Sequence, residues 1–390
     1  MSATPPITFG RYQLFKLIKK GGMARVFLAF DPAKPDEVVA VKTLLPELAG
    51  KRSYREMFES EAEVGLRLRH PGIARTLEHG EDRKTPWIAM EYVFGLDLST
   101  VIKRLRQKGR TLPVAMGVAL ALEVARALAA AHTLTDEFGQ PLNIVNRDVS
   151  PGNIMLAFNG QVKLIDFGIA QTTIDLKSQI GAIKGKISYM APEQVRGLPV
   201  DHRVDIFSLG TVLYELLTGV QVFRDEGDFA TMEKVRRAEA PPPSTHAPAV
   251  DPLLDGILAR ALAREAMDRY DTADAMAAAL RTWLERHGPV DRVQERAALL
   301  ASLFAEERAQ MEADIAAGRA AALGPEDVGE VRGPERFISE AALDDLLAAE
   351  ARPAEARPDR PPRRRPPVLV VVAGLLVLAV VVAVVISGLR

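Results

Sequence analysis

Asn153-Ile154-Met155-Leu156-Ala157-Phe158-Asn159-Gly160-Gln161-Val162-Lys163-Leu164-Ile165-Asp166 reads as a ribbon. Two apolar runs flank Asn159-Gly160, a strong signal for a two-residue hairpin turn. A turn there sets the register: Phe158 opposite Gln161, Ile154 opposite Ile165, Asn153 opposite Asp166. An amide and a carboxylate then meet at the open end of the ribbon, within about 5 Å Cα to Cα. Such oxygen donors suit a hard cation such as Mg²⁺, which usually takes one or two protein carboxylates together with phosphate oxygens. A second carboxylate, Asp148, lies just upstream behind Arg147.

The surroundings of the ribbon carry a family resemblance. Asn146-Arg147-Asp148-Val149-Ser150-Pro151-Gly152-Asn153 resembles the catalytic loop of eukaryotic-like protein kinases. Asp166-Phe167-Gly168 is similar to their metal-binding triplet and Ala191-Pro192-Glu193 to the motif that follows the activation loop. Val39-Ala40-Val41-Lys42 resembles the lysine-bearing strand, and Gly21-Gly22-Met23-Ala24-Arg25-Val26 part of the glycine-rich loop. Asp205-Ile206-Phe207-Ser208-Leu209-Gly210 resembles the helix F signature, with Phe where Trp is usual. These motifs stand in family order across residues 12–285. The Met190-Ala191-Pro192-Glu193-Gln194 wording is most similar to bacterial Ser/Thr kinases. The resemblance implies an α+β, two-lobed protein-kinase fold, with a small β-rich lobe at 12–95 and a large helical lobe at 96–285. It implies transfer of the ATP γ-phosphoryl group to Ser or Thr hydroxyls of protein substrates, with Mg²⁺ (or Mn²⁺) as the metal.

The same resemblance distributes roles. Asp148 receives or orients the proton of the attacking hydroxyl. Asn153 and Asp166 are the metal ligands, although a turn Asn or a capping Asp is ordinary outside such a motif. Lys42 contacts the α- and β-phosphates, and Glu61 is its helix partner, with Glu59 and Glu63 flanking it and exposed. Ile18, Lys19, Gly21, Gly22, Met23, Ala24, Val26 and Ala40 surround the nucleotide. Met90 resembles the gatekeeper, and Glu91 to Val93 the segment that hydrogen-bonds adenine. Glu193 and Arg269 match a buried ion pair of the large lobe. Arg147 beside the catalytic Asp implies control by phosphorylation of the activation loop, with Thr172, Thr173 and Ser178 as candidates and Ser188 less favoured.

Several positions depart from the pattern. The three glycine-loop positions hold Lys19, Gly21 and Ala24, so backbone N–H groups approach phosphate less freely there. Asn146 stands where His is usual. Ser150 occupies a position that the family's Ser/Thr kinases fill with Lys, and Lys186 one that they fill with Thr. In the family fold these two side chains meet at the catalytic Asp, so hydroxyl and ammonium have traded places. Lys186 is expected to supply the cation that position 150 lacks; the bland alternative is an exposed Lys186 and a handicapped enzyme.

Elsewhere the chain is less specific. Strands are expected at Tyr12–Ile18, Val26–Phe30, Val38–Leu44 and Ile88–Val93. A helix is expected at Ser53–Leu68, with a Glu-rich start and an Arg-rich end that suit the helix dipole. Further helices are expected at Val114–His132, Val204–Leu217 and Leu253–Ala263. At 390 residues and net charge −1, no global field argues for nucleic acid. With no cysteine there is no disulfide, thiol catalysis or Cys-based metal site. No internal repeat is visible.

Residues 1–11 read as a tail without a signal-peptide pattern, so the amino-terminal part is expected in the cytosol. Residues 286–351 are Ala-, Glu- and Arg-rich with helical spacing, suited to packing on the catalytic domain or to pairing two chains as a homodimer. Residues 352–367 are a Pro/Arg linker, for which disorder is the default. Val368–Ile386 is an uncharged apolar run of 19 residues, about 28 Å as a helix and long enough to span a bilayer. Arg360, Arg363, Arg364 and Arg365 precede it and Arg390 alone follows. The expected protein is therefore single-pass in the inner membrane, its catalytic domain cytosolic and 387–390 an external tail. Two competing readings remain. A pseudokinase scaffold is favoured by Lys19, Asn146 and Ser150 and opposed by the intact set Lys42, Glu61, Asp148, Asn153 and Asp166. A small-molecule kinase of related fold is disfavoured by the motifs at 191–193 and 205–210.

Overall fold

The alternating runs near the amino terminus pair into one antiparallel sheet. In the computed structural model, residues 7–167, 185–290 and 292–323 are described, so the candidate phosphosites Thr172, Thr173 and Ser178, the Pro/Arg linker and the apolar run lie outside the described residues. The first strands are β1 (Ile7–Phe9), β2 (Tyr12–Lys20), β3 (Ala24–Asp31) and β4 (Lys34–Leu44). Helices α1 (Pro46–Ala49) and α2 (Arg52–Arg67) follow, then β5 (Thr76–Asp82) and β6 (Thr85–Glu91). The sheet order is β1-β2-β3-β4-β6-β5. Ile7–Phe9, placed in a tail by sequence, pairs with β2 as the edge strand. The Glu-rich start expected for α2 is absent: its first turn holds no acid, although Arg67 does sit in its last turn. The helix begins at Arg52, so Glu56 and Glu59 fall beyond the positions where the dipole rewards them.

The helical lobe begins after β7 (Gly95–Asp97) with α3 (Leu98–Gln107) and α4 (Val114–His132). Asp97 caps α3 by accepting from the Thr100 N–H at 2.9 Å. By length and composition α4 meets the test for a membrane span, but it is two-thirds buried inside this fold, against α6 and α9 defined below. It is a core helix. The ribbon β8 (Ile154–Ala157) and β9 (Val162–Leu164) follows, joined to β7 in a second sheet. Then come α5 (Pro192–Arg196), α6 (Arg203–Thr218), α7 (Gly227–Arg237), α8 (Pro252–Ala261) and α9 (Ala273–His287).

The ribbon's register differs from the expected one by a residue. Ile154 pairs with Leu164 and Leu156 with Val162, and the Ile165 N–H donates to the Asn153 carbonyl at 2.9 Å. Asn153 therefore faces Ile165, and Asp166 lies one step beyond. The cause is a three-residue loop, Phe158-Asn159-Gly160. Gly160 adopts φ 85° and donates to the Ala157 carbonyl at 2.8 Å, while the Asn159 side chain accepts from the Gln161 N–H at 3.0 Å. That is the turn-plus-left-handed-residue solution rather than the two-residue one. A one-residue slip reverses which face each side chain takes.

Two further helices, α10 (Val293–Leu303) and α11 (Ala305–Leu323), continue the fold past residue 286. Leu300 and Phe304 are 0% and 1% exposed within the core of the helical lobe. The Arg296 Nε donates to the Gly160 carbonyl at 2.7 Å, tying α10 to the ribbon turn. Residues 293–323 pack on the catalytic domain, one of the two uses expected for this region. Phe304→Ala removes a buried ring and its stacking under Arg104, whose guanidinium carbon lies 4.6 Å from the ring centroid. The expected cost is about 3–5 kcal/mol, read as a lowered denaturation midpoint; a midpoint within error of the parent would place Phe304 outside the core.

Candidate active site

A cleft between the two lobes gathers the titratable groups. Lys42 sits on β4 opposite Val26 of β3 and Ile88 of β6, and its side chain is largely buried, 13% exposed. Its Nζ lies 2.6 Å from Glu61 Oε1 on α2 and 3.0 Å from Asp166 Oδ1 after β9. One ammonium thus joins the sheet, the helix of the small lobe and the ribbon mouth. Burial would pull the Lys42 ammonium down, but the Asp166 and Glu61 carboxylates outweigh it and hold the group well above the usual lysine range. Burial pushes the Glu61 carboxyl up, with Lys42 opposing. Asp166 is also buried, yet Lys42, with smaller help from Lys19 and Lys186, brings its carboxyl below the ordinary range. Lys19 is exposed on β2, so its charge reaches Asp166 through space rather than by contact.

A second cluster forms around Asp148. Its Oδ2 accepts from Asn153 Nδ2 at 2.7 Å and from Lys186 Nζ at 2.5 Å. Asn153 Nδ2 also donates to the Asp148 carbonyl at 2.9 Å. The Asn153 amide nitrogen is thereby committed, which leaves its carbonyl oxygen as the donor atom for a cation. Asn153 Oδ1 with the Asp166 carboxylate is a set of hard oxygens that fits Mg²⁺ or Mn²⁺, the rest of the shell coming from phosphate and water. Ser150 is buried and its hydroxyl has no hydrogen-bond partner among the described residues. Asn146, fully buried, bridges the two clusters: its Nδ2 donates to the Asp166 carbonyl at 3.1 Å and its Oδ1 accepts from the Asp148 N–H at 3.1 Å.

The residues expected at the nucleotide differ in exposure and in what their side chains touch. The Gly21 N–H donates to the Ala24 carbonyl at 2.8 Å, so Gly21, Gly22 and Met23 form a tight turn between β2 and β3. Ile18 is 45% exposed, whereas Ala24, Ala40 and Val93 are buried and Val26 is half-buried. Met90 is half-buried and lines a narrow cavity of about 30 Å³ with Glu61, Asp166 and Phe167. Glu91 turns its carboxylate to Lys163, 2.9 Å away, and accepts from the Arg75 N–H at 3.2 Å. Its side chain is therefore occupied elsewhere, and only the backbone of 91–93 is left for a base.

Sequence reasoning named no role for Asp205, the residue that holds the catalytic loop. It is 0% exposed at the start of α6 and accepts from the Asn146 and Arg147 N–H groups at 2.8 and 2.7 Å. Its Oδ2 also lies 2.7 Å from His132 Nε2 at the end of α4. The available signals were a carboxylate opening an apolar helix and a lone His closing another. Glu193 forms its bidentate pair with Arg269 at 2.6 and 2.8 Å, and Gln194 Nε2 donates to the Arg147 carbonyl at 3.1 Å.

Comparison with known proteins agrees with this arrangement. The family model described as protein kinase domain matches residues 12–280. The chain belongs to the protein kinase family. It is 40% identical over 303 residues to "Tyrosine-protein kinase MasK" of Myxococcus xanthus, covering 77% of this chain and 47% of that one. It is 37% identical over 276 residues to "Probable serine/threonine-protein kinase SCO3848" of Streptomyces coelicolor, covering 68% and 39%. The chain thus spans about half or less of the length of these relatives. The crystal structure of the Mycobacterium tuberculosis PknI kinase domain superposes with a TM-score of 0.56 at 29% identity, covering 72% of this chain and 99% of that one.

Because burial raises Asp166 and Lys42 lowers it, removing the lysine has a sign that can be read. In Lys42→Met the Asp166 carboxyl is expected to rise, so it protonates at higher pH. The acid limb of Mg²⁺-dependent nucleotide binding should then shift toward neutrality, measured by a fluorescent-nucleotide titration across the acidic range. An acid limb that stays where the parent has it would mean that Lys42 does not set this charge.

Proposed function

We propose that this kinase transfers the γ-phosphoryl group of ATP to Ser or Thr hydroxyls of proteins, its own included, as a membrane-tethered component of bacterial signalling. The observation that carries the reading is the unbroken chain Glu61–Lys42–Asp166 beside Asp148–Asn153. Lys42, kept charged by its two carboxylates, meets the α- and β-phosphates. Asn153 and Asp166 would hold the metal, which would supply positive charge to offset that of the phosphates. The substrate oxygen forms its bond to the γ-phosphorus as the bond to the β,γ-bridging oxygen breaks. ADP leaves, and the hydroxyl proton passes to Asp148. Lys186, 2.5 Å from that carboxylate, supplies the local cation beside the γ-phosphate and takes the part that Ser150 cannot.

Relatives named as serine/threonine kinases favour Ser or Thr as acceptor. The relative named as a tyrosine kinase supports a second reading, in which tyrosine is accepted as well. The departures at Lys19, Asn146 and Ser150 support a third, a nucleotide-binding scaffold without transfer. The membrane tether and cytosolic orientation rest on Val368–Ile386 and the arginines before it. Control through the activation loop is supported by Arg147, whose Nε is buried without a partner among the described residues and which lines a cavity of about 320 Å³ with Arg67. An unpaired guanidinium nitrogen in such a place suits an anion.

The test is labelling of the full chain with ATP and Mg²⁺, followed by phosphoamino-acid analysis, beside Asp148→Asn, Lys42→Ala and Lys186→Ala. Label on Ser or Thr that vanishes in the first two variants supports the proposal. Label on Tyr moves the acceptor reading. No label above the Asp148→Asn background, with nucleotide still bound, leaves the scaffold. Lys186→Ala should lower kcat by about tenfold or more with KM for ATP little changed, the pattern of a contact made in the transition state. An unchanged kcat would end its assigned part.

A further inference from the structure

Helix α11 lies across both lobes, and its contacts change partner along its length. At its start Arg104 of α3 donates to the Leu303 carbonyl at 2.9 Å and pairs with Glu307. The Arg308 guanidinium carbon stands 5.6 Å from the Phe158 ring centroid, and Met311 packs on the core of the helical lobe. One turn on, the partners belong to the small lobe. Ile315 packs against the cluster of Phe15, Leu28 and Phe30. Asp314 pairs with Lys16 of β2, and Arg319 lies 3.6 Å from Asp36 with its guanidinium carbon 5.9 Å from the Phe30 centroid. Beneath the helix, the rings of Phe158, Phe94 and Tyr92 follow one another at 5.0 and 6.5 Å along the segment joining the lobes.

Gly318 marks the closest approach. It is buried inside a helix, where glycine costs about 1 kcal/mol relative to alanine. A Cβ at this position would stand 2.3 Å from the Phe15 ring, so the packed contact needs a residue without one. The two ends of the strap are unequal. The lower end is anchored by Phe304 and Leu300, which are almost fully buried. The upper end is held by Ile315, the close approach of Gly318 to Phe15, Arg319 over Phe30 and ion pairs whose members are partly exposed, with Lys16 at 41% and Arg319 at 39%. Exposed pairs of this kind are worth at most about 1 kcal/mol each and are screened by salt.

We infer that α11 is an interlobe strap: it sets the angle between the lobes, and hence the width of the nucleotide cleft, and its small-lobe end is the end that releases. The inference concerns geometry and stands apart from the phosphoryl-transfer reading. The chain has no cysteine, so Ser53→Cys on α2 and Thr282→Cys on α9, both exposed, give the full chain two spin labels, one per lobe. Electron-electron distance measurement should give a narrow interlobe distribution in the parent. Gly318→Leu wedges the helix from Phe15 and should broaden it; Ala316→Leu, on the exposed side, should not. Lys16→Glu should broaden it in part, and adding Asp314→Lys should narrow it again, a rescue that general loss of folding would not produce. A distribution unchanged in both Gly318→Leu and Lys16→Glu overturns the strap. So does broadening in Lys16→Glu that the reversed pair leaves in place.

Discussion

The catalytic loop is held by a buried negative charge. Asp205 has no solvent to stabilise it, so its carboxylate must be satisfied by donors brought to it: two backbone N–H groups and His132. Hydrogen bonds to an ionised acceptor are the stronger kind. They are also the more demanding kind, because a donor that strays leaves a charge uncompensated. The loop from Asn146 to Asn153 is thus tied to α6 and α4, the most deeply buried helices of the fold. Arg147 adopts φ 64°, a conformation uncommon for a residue with a side chain, and the Asp205 clamp together with Gln194 offsets that strain. Asp148 reaches the cleft because its neighbours are fixed from behind.

The second constraint joins the lobes. Lys42 contributes to Glu61 and Asp166 at once, so the small lobe's helix, its sheet and the ribbon mouth keep one mutual arrangement. Burial pushes the Glu61 carboxyl up against the pull of Lys42, whereas at Asp166 the same ammonium, helped by Lys19 and Lys186, outweighs burial and holds the carboxyl down. Among the described residues no group of three acidic, imidazole or thiol side chains stands together as a ready-made metal site. On the far side of the joining segment α11 touches both lobes as well. The lobes are thus linked in front by an ion network and behind by a helix.

Much of this was legible in sequence because it is local. The motif residues at 146–153, 166–167 and 205–210 are brought together by the fold, and α4 was delimited by its apolar run alone. The register of the ribbon was misread because Asn159-Gly160 is compatible with two loop lengths. What decides between them is the left-handed Gly160 and the Asn159 side chain acting on Gln161, neither of which spacing reveals. The role of Asp205 was missed because two of its partners are backbone amides 58 and 59 residues away, which leave no side-chain signature, and the third, His132, closes a separate helix 73 residues before it. The path of α11 was open for a similar reason. Its amphipathic character is weak, and its key residue, Gly318, is read from sequence as a flaw in a helix rather than as a fitted contact.

The exchange between positions 150 and 186 has a consequence for where charge is kept. A cation at position 150 would sit on the same clamped loop as Asp148, two residues along and present in every state of the protein. Lys186 instead belongs to the segment that leads into α5, and its side chain is 40% exposed. Ser150, in a buried turn with a hydroxyl that finds no partner among the described residues, adds no charge of its own. The positive charge beside Asp148 therefore depends on how residues 185–189 lie. Their anchor is the buried run Ile187, Ser188 and Tyr189, with Tyr189 hydrogen-bonded to Glu215 of α6 at 2.5 Å and to Gln221 at 2.7 Å. Burial and the Glu215 carboxylate both push the Tyr189 hydroxyl far above the usual tyrosine range, so it stays a donor and the anchor stays neutral. In this arrangement the same large-lobe helix that clamps the loop from below, through Asp205, also secures from above the segment that delivers the cation.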